Sequence, residues 1–128
     1  MRVFKNAWFC RFARKQELSE QQLYDAVRRA ERGQIDADLG GGVIKQRLAR
    51  DGQGRSAGYR TIILYRAGER AFLVFGFAKN AQANISRHEL AQFRQAATAL
   101  LALNDKQLAQ LLAAGQLEEV VDDQELPQ

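Results

Sequence analysis

Residues 43–80 read VIKQRLARDGQGRSAGYRTIILYRAGERAFLVFGFAKN. In 43–50 the period is two: Ile44 and Leu48 point one way, Lys45 and Arg47 the other. That pattern predicts a strand with one face on a core and the other face basic. Residues 51–58, DGQGRSAG, predict a glycine-rich loop that carries Arg55. Residues 59–66, YRTIILYR, predict a second strand. The turn 67–70 is short enough for a hairpin, and 71–78, AFLVFGFA, predict a third, largely buried strand that ends at Lys79 and Asn80. Short connections make these three strands antiparallel neighbours.

Upstream, Ser19 and Gln22 have the spacing of a capping box. Leu23, Ala26, Val27 and Ala30 then fall on one helical face and Gly33 follows as a stop, which predicts a helix over 20–32. Residues 34–42 read as a connection ending in Gly40, Gly41 and Gly42. Residues 2–8 suit a short strand, and Phe9, Phe12 and Ala13 one or two helical turns. Downstream, Ser86 with Glu89 is a second capping box, opening a helix over 87–102. Asn104 caps a shorter helix, 105–114, closed by Gly115. The acidic remainder is expected to be frayed. The expected fold is α+β: a small antiparallel β-sheet with N-terminal helices packed on one face, and C-terminal helices. Residues 1–103 are expected to form the main domain, and 104–128 a short helix with a flexible acidic tail.

Composition narrows the function. The chain has 128 residues, 46% hydrophobic and 27% charged, which fits one globular domain. A single cysteine, Cys10, excludes an internal disulfide and reads as a small buried hydrophobe. No apolar run approaches a membrane span and no signal peptide is expected, so the expected compartment is a reducing cytoplasm. The net charge of +4 is unevenly spread. Residues 1–87 hold 17 Lys and Arg against 8 Asp and Glu, net +9; residues 88–128 hold 2 against 7, net −5. A basic body points to a polyanionic partner.

Several chemistries find no support. His88 is the one histidine and sits in the first turn of a predicted helix, where it reads as solvated. No ligand set is spaced for a metal, and no nucleophile elbow accompanies a serine. Gly40–Gly42 precede a strand and lack the Lys-Ser/Thr ending of a phosphate-binding loop, so they read as a tight lead into the strand. What remains is the basic constellation Lys45, Arg47, Arg50, Arg55, Arg60, Arg66 and Lys79, with Tyr59, Tyr65, Phe75 and Phe77 interleaved. Pairing brings like charges close together, a repulsion that a bound phosphate backbone relieves. Aromatic rings can stack on unpaired bases. The alternative is an ordinary solvated sheet face over core aromatics.

The stretch IDADLGGGVIKQRLARDGQGRSAGYRTIILYR (35–66), with FGFAKN at 75–80, resembles a branch of the RelE-like toxins of the RelE/ParE toxin–antitoxin superfamily. LNDKQLAQLLAAGQLEEV (103–120) resembles the C-terminal extension of that branch, so the likeness spans about residues 3–121. The resemblance implies an antitoxin that blocks the site. It also implies metal-independent mRNA cleavage, on the ribosome, without a cofactor: the ribose 2′-OH attacks the adjacent phosphate. The roles that follow are Lys45 or Lys79 as general base, and Arg47, Arg55 and Arg60 as the phosphate clamp. Arg50 and Arg66 take flanking RNA, Tyr59, Tyr65 or Phe77 orients a base, and Asn80 adds an RNA contact. The rivals are a ParE-like toxin that inhibits DNA gyrase and an RNA-binding domain without catalysis. The acidic tail either stays solvated or folds back on the basic face.

Overall fold

The computed structural model describes residues 1–50 and 54–122, without the side chains of residues 50 and 54–57. The chain opens with β1 (Arg2–Asn6), and Asn6 turns it directly into α1 (Ala7–Lys15) by accepting the amide of Phe9. The Ser19–Gln22 capping box starts α2 (Glu20–Glu31). Then come β2 (Ala37–Gly40), β3 (Val43–Arg50), β4 (Gly54–Arg66) and β5 (Arg70–Ala78). The Ser86–Glu89 and Asn104–Gln107 boxes open α3 (Arg87–Leu100) and α4 (Asp105–Ala113), and β6 (Leu117–Val120) follows.

The strands form one sheet in the order β2-β3-β4-β5-β1-β6. The β3–β4–β5 meander is antiparallel as expected, but β1 runs parallel to β5, so the sheet is mixed. The parallel pair follows from the long helical return between β1 and the meander. β4 begins at Gly54, so residues 54–58 of the expected loop are strand. Two strands were not expected. β2 is a four-residue edge with little apolar signal. β6 reads LEEV and looks like a charged tail, yet it pairs antiparallel with β1, Val3 opposite Val120. Its acids, and Asp122 just beyond it, meet cations of the N-terminal half: Glu119 is bidentate with Arg2, Glu118 lies 4.0 Å from Lys5, and Asp122 pairs with Arg28. Leu108 of α4 and Leu117 share a core with Phe4 and Phe72. Residues 104–122 are therefore part of the sheet's own packing, and residues 117–122 do not lie on the β3–β4 surface.

Each face of the sheet carries a core. Ile44, Leu48, Tyr59, Ile63 and Leu73 pack under α1 and α2, with Leu23, Ala26 and Val27. Val43, Ile62, Leu64 and Phe72 pack under α3 and α4, with Ala97, Leu101 and Leu108. The N-terminal helices pack on one face and the C-terminal helices on the opposite one.

The glycine run serves this second layer. Gly40, Gly41 and Gly42 all have positive φ, 80°, 65° and 83°. A Cβ on Gly42 would sit 2.9 Å from Leu101, and one on Gly41 2.9 Å from Arg94, whose guanidinium donates to the Leu39 carbonyl. The space beside the run is filled by α3. Gly42→Ala combines left-handed backbone strain with overpacking and is expected to cost about 2–4 kcal/mol in urea unfolding. Gly33→Ala, at φ 81° but facing open space, is expected to cost only about 1 kcal/mol. Equal losses at the two positions would show that the helix contact contributes nothing.

Candidate nucleic-acid interface

Strand alternation sends Lys45 and Arg47 to the α3 side of β3, because Ile44, Gln46 and Leu48 are committed to the other side. The register then puts Arg60 of β4 directly opposite Arg47, and Lys45 opposite Ile62. Directly opposed side chains leave the backbone about 4.5–5.5 Å apart. Three cations therefore start from one patch of the sheet. α3 covers the Val43–Leu64 end of this face and leaves the Arg47–Arg60 end accessible: Arg47 is exposed, and Lys45 and Arg60 are half-buried. The connection after β5 borders the patch, where the Lys45 ammonium donates to Asn84 Oδ1 at 3.2 Å.

A carboxylate holds Arg47. Asp36 accepts from the Arg47 guanidinium at 3.0 Å and from its amide at 2.7 Å. Arg29 of α2 approaches the same carboxylate at 3.4 Å and also donates to the Arg47 carbonyl. Gln46, fully buried, fixes this corner by accepting the Asp36 amide and donating to the carbonyls of Ala26 and Gln34. Partial burial pushes the Asp36 carboxyl upward, but the Arg47 amide, the Arg47 guanidinium and Arg29 together hold it below its ordinary value.

The remaining expected residues fall in different places. Lys79 and Asn80 are exposed just past β5, and the Lys79 amide meets the Gly58 carbonyl at 3.5 Å, near the start of β4. Phe77 lies opposite Arg60 but is only 4% exposed. Arg66 is six residues along β4 from Arg60, roughly 20 Å on an extended strand, and it pairs with Glu69 at 3.7 Å. Tyr59 and Tyr65 differ in parity from Arg60, so they lie on the opposite face. Tyr59 is 4% exposed and donates to Gln16 Oε1 at 2.8 Å; the Tyr65 hydroxyl donates to Glu31. Burial, then that bond, pushes the Tyr65 phenol above its usual range. The side chains of Arg50 and Arg55 lie outside the described residues. Asp36 and Asn84, which hold Arg47 and Lys45, carry no sequence signal of that role. Each reaches its partner only through tertiary contact.

Fold and face together define a small α+β protein that presents a cationic half-face on a single sheet with helices on both sides. The chain belongs to the RelE family: residues 1–120 match the family described as RelE toxin of the RelE / RelB toxin-antitoxin system. Membership implies an antitoxin partner. No curated protein matches the chain. Among the described residues, no helix is long and apolar enough to cross a membrane.

Because the Asp36 carboxyl is held below its ordinary value, its contribution to stability is fully present above the unfolded carboxylate range. It is lost as pH falls through the depressed folded value. Asp36→Asn is expected to lower stability by about 1–3 kcal/mol at pH 7, with the gap to wild type closing as acid protonates the wild-type carboxyl. A gap that stays constant down to pH 2 would show that charge plays no part.

Proposed function

We propose that the protein is an mRNA endoribonuclease of a type II toxin–antitoxin system, acting in the cytoplasm on mRNA held by the ribosome. The observation that carries this reading is the direct cross-strand pairing of Arg47 with Arg60, with Lys45 two residues from Arg47 on the same side. Arginines placed opposite each other repel unless an anion lies between them, and guanidinium groups bind phosphate bidentately while staying charged. Asp36 offsets part of that repulsion in the free protein and presents Arg47 with an ordered backbone. A phosphodiester arriving at the patch competes with Asp36 for the guanidinium.

In this reading Arg47 and Arg60 bind the non-bridging oxygens of the scissile phosphate. They stabilise the extra charge of the pentavalent phosphorane, the term that usually dominates such catalysis. Lys45 or Lys79 takes the proton from the ribose 2′-OH as that oxygen attacks phosphorus. The P–O5′ bond breaks, leaving a 2′,3′-cyclic phosphate on one fragment and, after proton transfer, a free 5′-OH on the other. Arg50 at the end of β3, Arg55 at the start of β4, and Asn80 take the flanking chain. Tyr59 supports the sheet behind the patch, Phe77 is buried beside Arg60, and Tyr65 lies towards the far end of β4, so these rings serve packing in place of reading a base. Arg66, at the far end of β4, contributes general attraction to RNA. The antitoxin acts by covering the patch.

Arg60→Ala and Lys79→Ala are each expected to lower mRNA cleavage at least about 100-fold and abolish growth arrest, with circular dichroism and thermal midpoint unchanged. Arg66→Ala is expected to stay within a few-fold of wild type. Primer extension on mRNA from expressing cells should show discrete cuts. Full toxicity in both of the first two variants, or growth arrest with intact mRNA and an induced DNA-damage response, would overturn the reading, the latter in favour of gyrase inhibition.

A further inference from the structure

The first helix carries a second surface that the catalytic proposal leaves unused. Trp8, Arg11, Phe12 and Lys15 recur at i, i+3, i+4 and i+7 and so share one side of α1. With Gln16 they line a hollow of about 260 Å³. Trp8 is 36% exposed, yet its indole is not loose. It stacks on Phe12 at 5.2 Å and 16°, and leans on Phe75 at 4.6 Å. Phe75 in turn rests on Phe93 of α3 at 5.7 Å. Arg11 and Lys15 are exposed and have no ion pair or side-chain hydrogen bond among the described residues.

The hollow adjoins the cationic patch around an edge of the sheet. β1 leaves β5 after the pair Lys5–Leu73, so among the described residues no strand lies outside 75–78, and α1 lies there instead. Gln16, at the end of the hollow, bonds to Tyr59, the residue next to Arg60. Lys79 meets Gly58 at the same end. A single strand leaving the Arg47–Arg60 patch past Phe77 and Lys79 crosses this edge onto α1.

We propose that the Trp8–Arg11–Lys15 hollow is an accessory subsite for an unpaired nucleotide of single-stranded RNA, with the base packed against the exposed part of the indole and adjacent phosphates held by the two cations. The inference rests on the RNA reading given above and extends it to the flanking chain. An aromatic ring held in place, with two cations farther along the same helix face and about 5–6 Å apart at Cβ, suits a base on a charged backbone. Contact of a base with an aromatic ring is tolerant of sequence, as a flanking contact requires. An acidic antitoxin segment is the competing occupant.

Trp8 is the chain's one tryptophan, so its fluorescence reports this site alone. The probe is a short single-stranded RNA with every 2′-OH methylated, which binds but cannot be cut. Titrated into the full chain, it is expected to quench Trp8 saturably, in step with binding followed by anisotropy of a labelled strand. Arg11→Ala/Lys15→Ala is expected to weaken binding about tenfold and to reduce the slope of log affinity against log salt by about 1.4. Trp8→Phe, which keeps the ring packing, should weaken anisotropy-detected binding several-fold. Binding without quenching overturns the proposal, as does equal quenching by base-free polyphosphate. Unchanged RNA affinity in the double variant, with a weakened antitoxin complex, assigns the surface to the protein partner. Because the probe is uncleavable, quenched binding by a protein that never cuts mRNA sinks only the ribonuclease reading. Normal cleavage and binding in the double variant sinks only the subsite.

Discussion

The β3–β4 ladder is the constraint on which the rest of this protein depends. Its register runs from Val43 opposite Leu64 to Leu48 opposite Tyr59, and each step fixes which of two cores a side chain joins. Ile44 and Ile63 go under the N-terminal helices; Val43, Ile62 and Leu64 go under α3. A slip of one residue would move arginines into the α2 layer and isoleucines into solvent. The Arg47–Arg60 pair is therefore a by-product that cannot be avoided. Once the apolar residues of both strands are buried on two faces, the cations between them have one place to go. Fixing them costs repulsion, and Asp36 and Asn84 each offset part of it from outside the ladder.

Two layers of helix on the sheet explain how a patch survives on a face that also holds a core. α3 sits at the glycine end, where the absence of side chains at Gly41 and Gly42 lets Arg94 and Leu101 approach the β2–β3 turn. That position shields Val43, Leu64 and Phe72 and stops short of Arg47. The same glycines that resemble a phosphate cradle in sequence thus belong to helix packing. Access to the cationic end follows from where that packing stops.

The acidic C-terminal third also has a structural role. Glu118, Glu119 and Asp122 sit against Lys5, Arg2 and Arg28 at the β1–β6 end of the sheet, on the far side from Arg47. Charge is separated in space as it is in sequence: basic at the β3–β4 end, and locally compensated where β6 closes the sheet. The exposed Arg2–Glu119 pair contributes little by itself, whereas Asp122 is buried against its partner Arg28; the buried Leu117 and Val120 bind the strand. Glu118, Glu119 and Asp122 thus lie away from the Arg47–Arg60 patch, where Asp36 is the carboxylate on Arg47.

Local pattern was enough for the elements whose signal is local. Capping boxes at Ser19 and Ser86, a period of two in 43–50 and the short 67–70 turn determine α2, α3 and the meander, because hydrogen bonds and side-chain alternation within a few residues fix them. The cationic content of the central strands, and the likeness to a toxin family, were equally readable. Parity could also have separated Tyr59 and Tyr65 from Arg60, since neighbours on a strand face opposite ways. Tertiary structure alone decided the rest. β2 and β6 have too few apolar residues to declare themselves and exist because an edge strand accepts them. The Asp36–Arg47 and Asn84–Lys45 contacts join residues 11 and 39 positions apart. How much of the basic face stays open depends on where α3 comes to rest, and that is set by long-range burial, which no window of sequence contains.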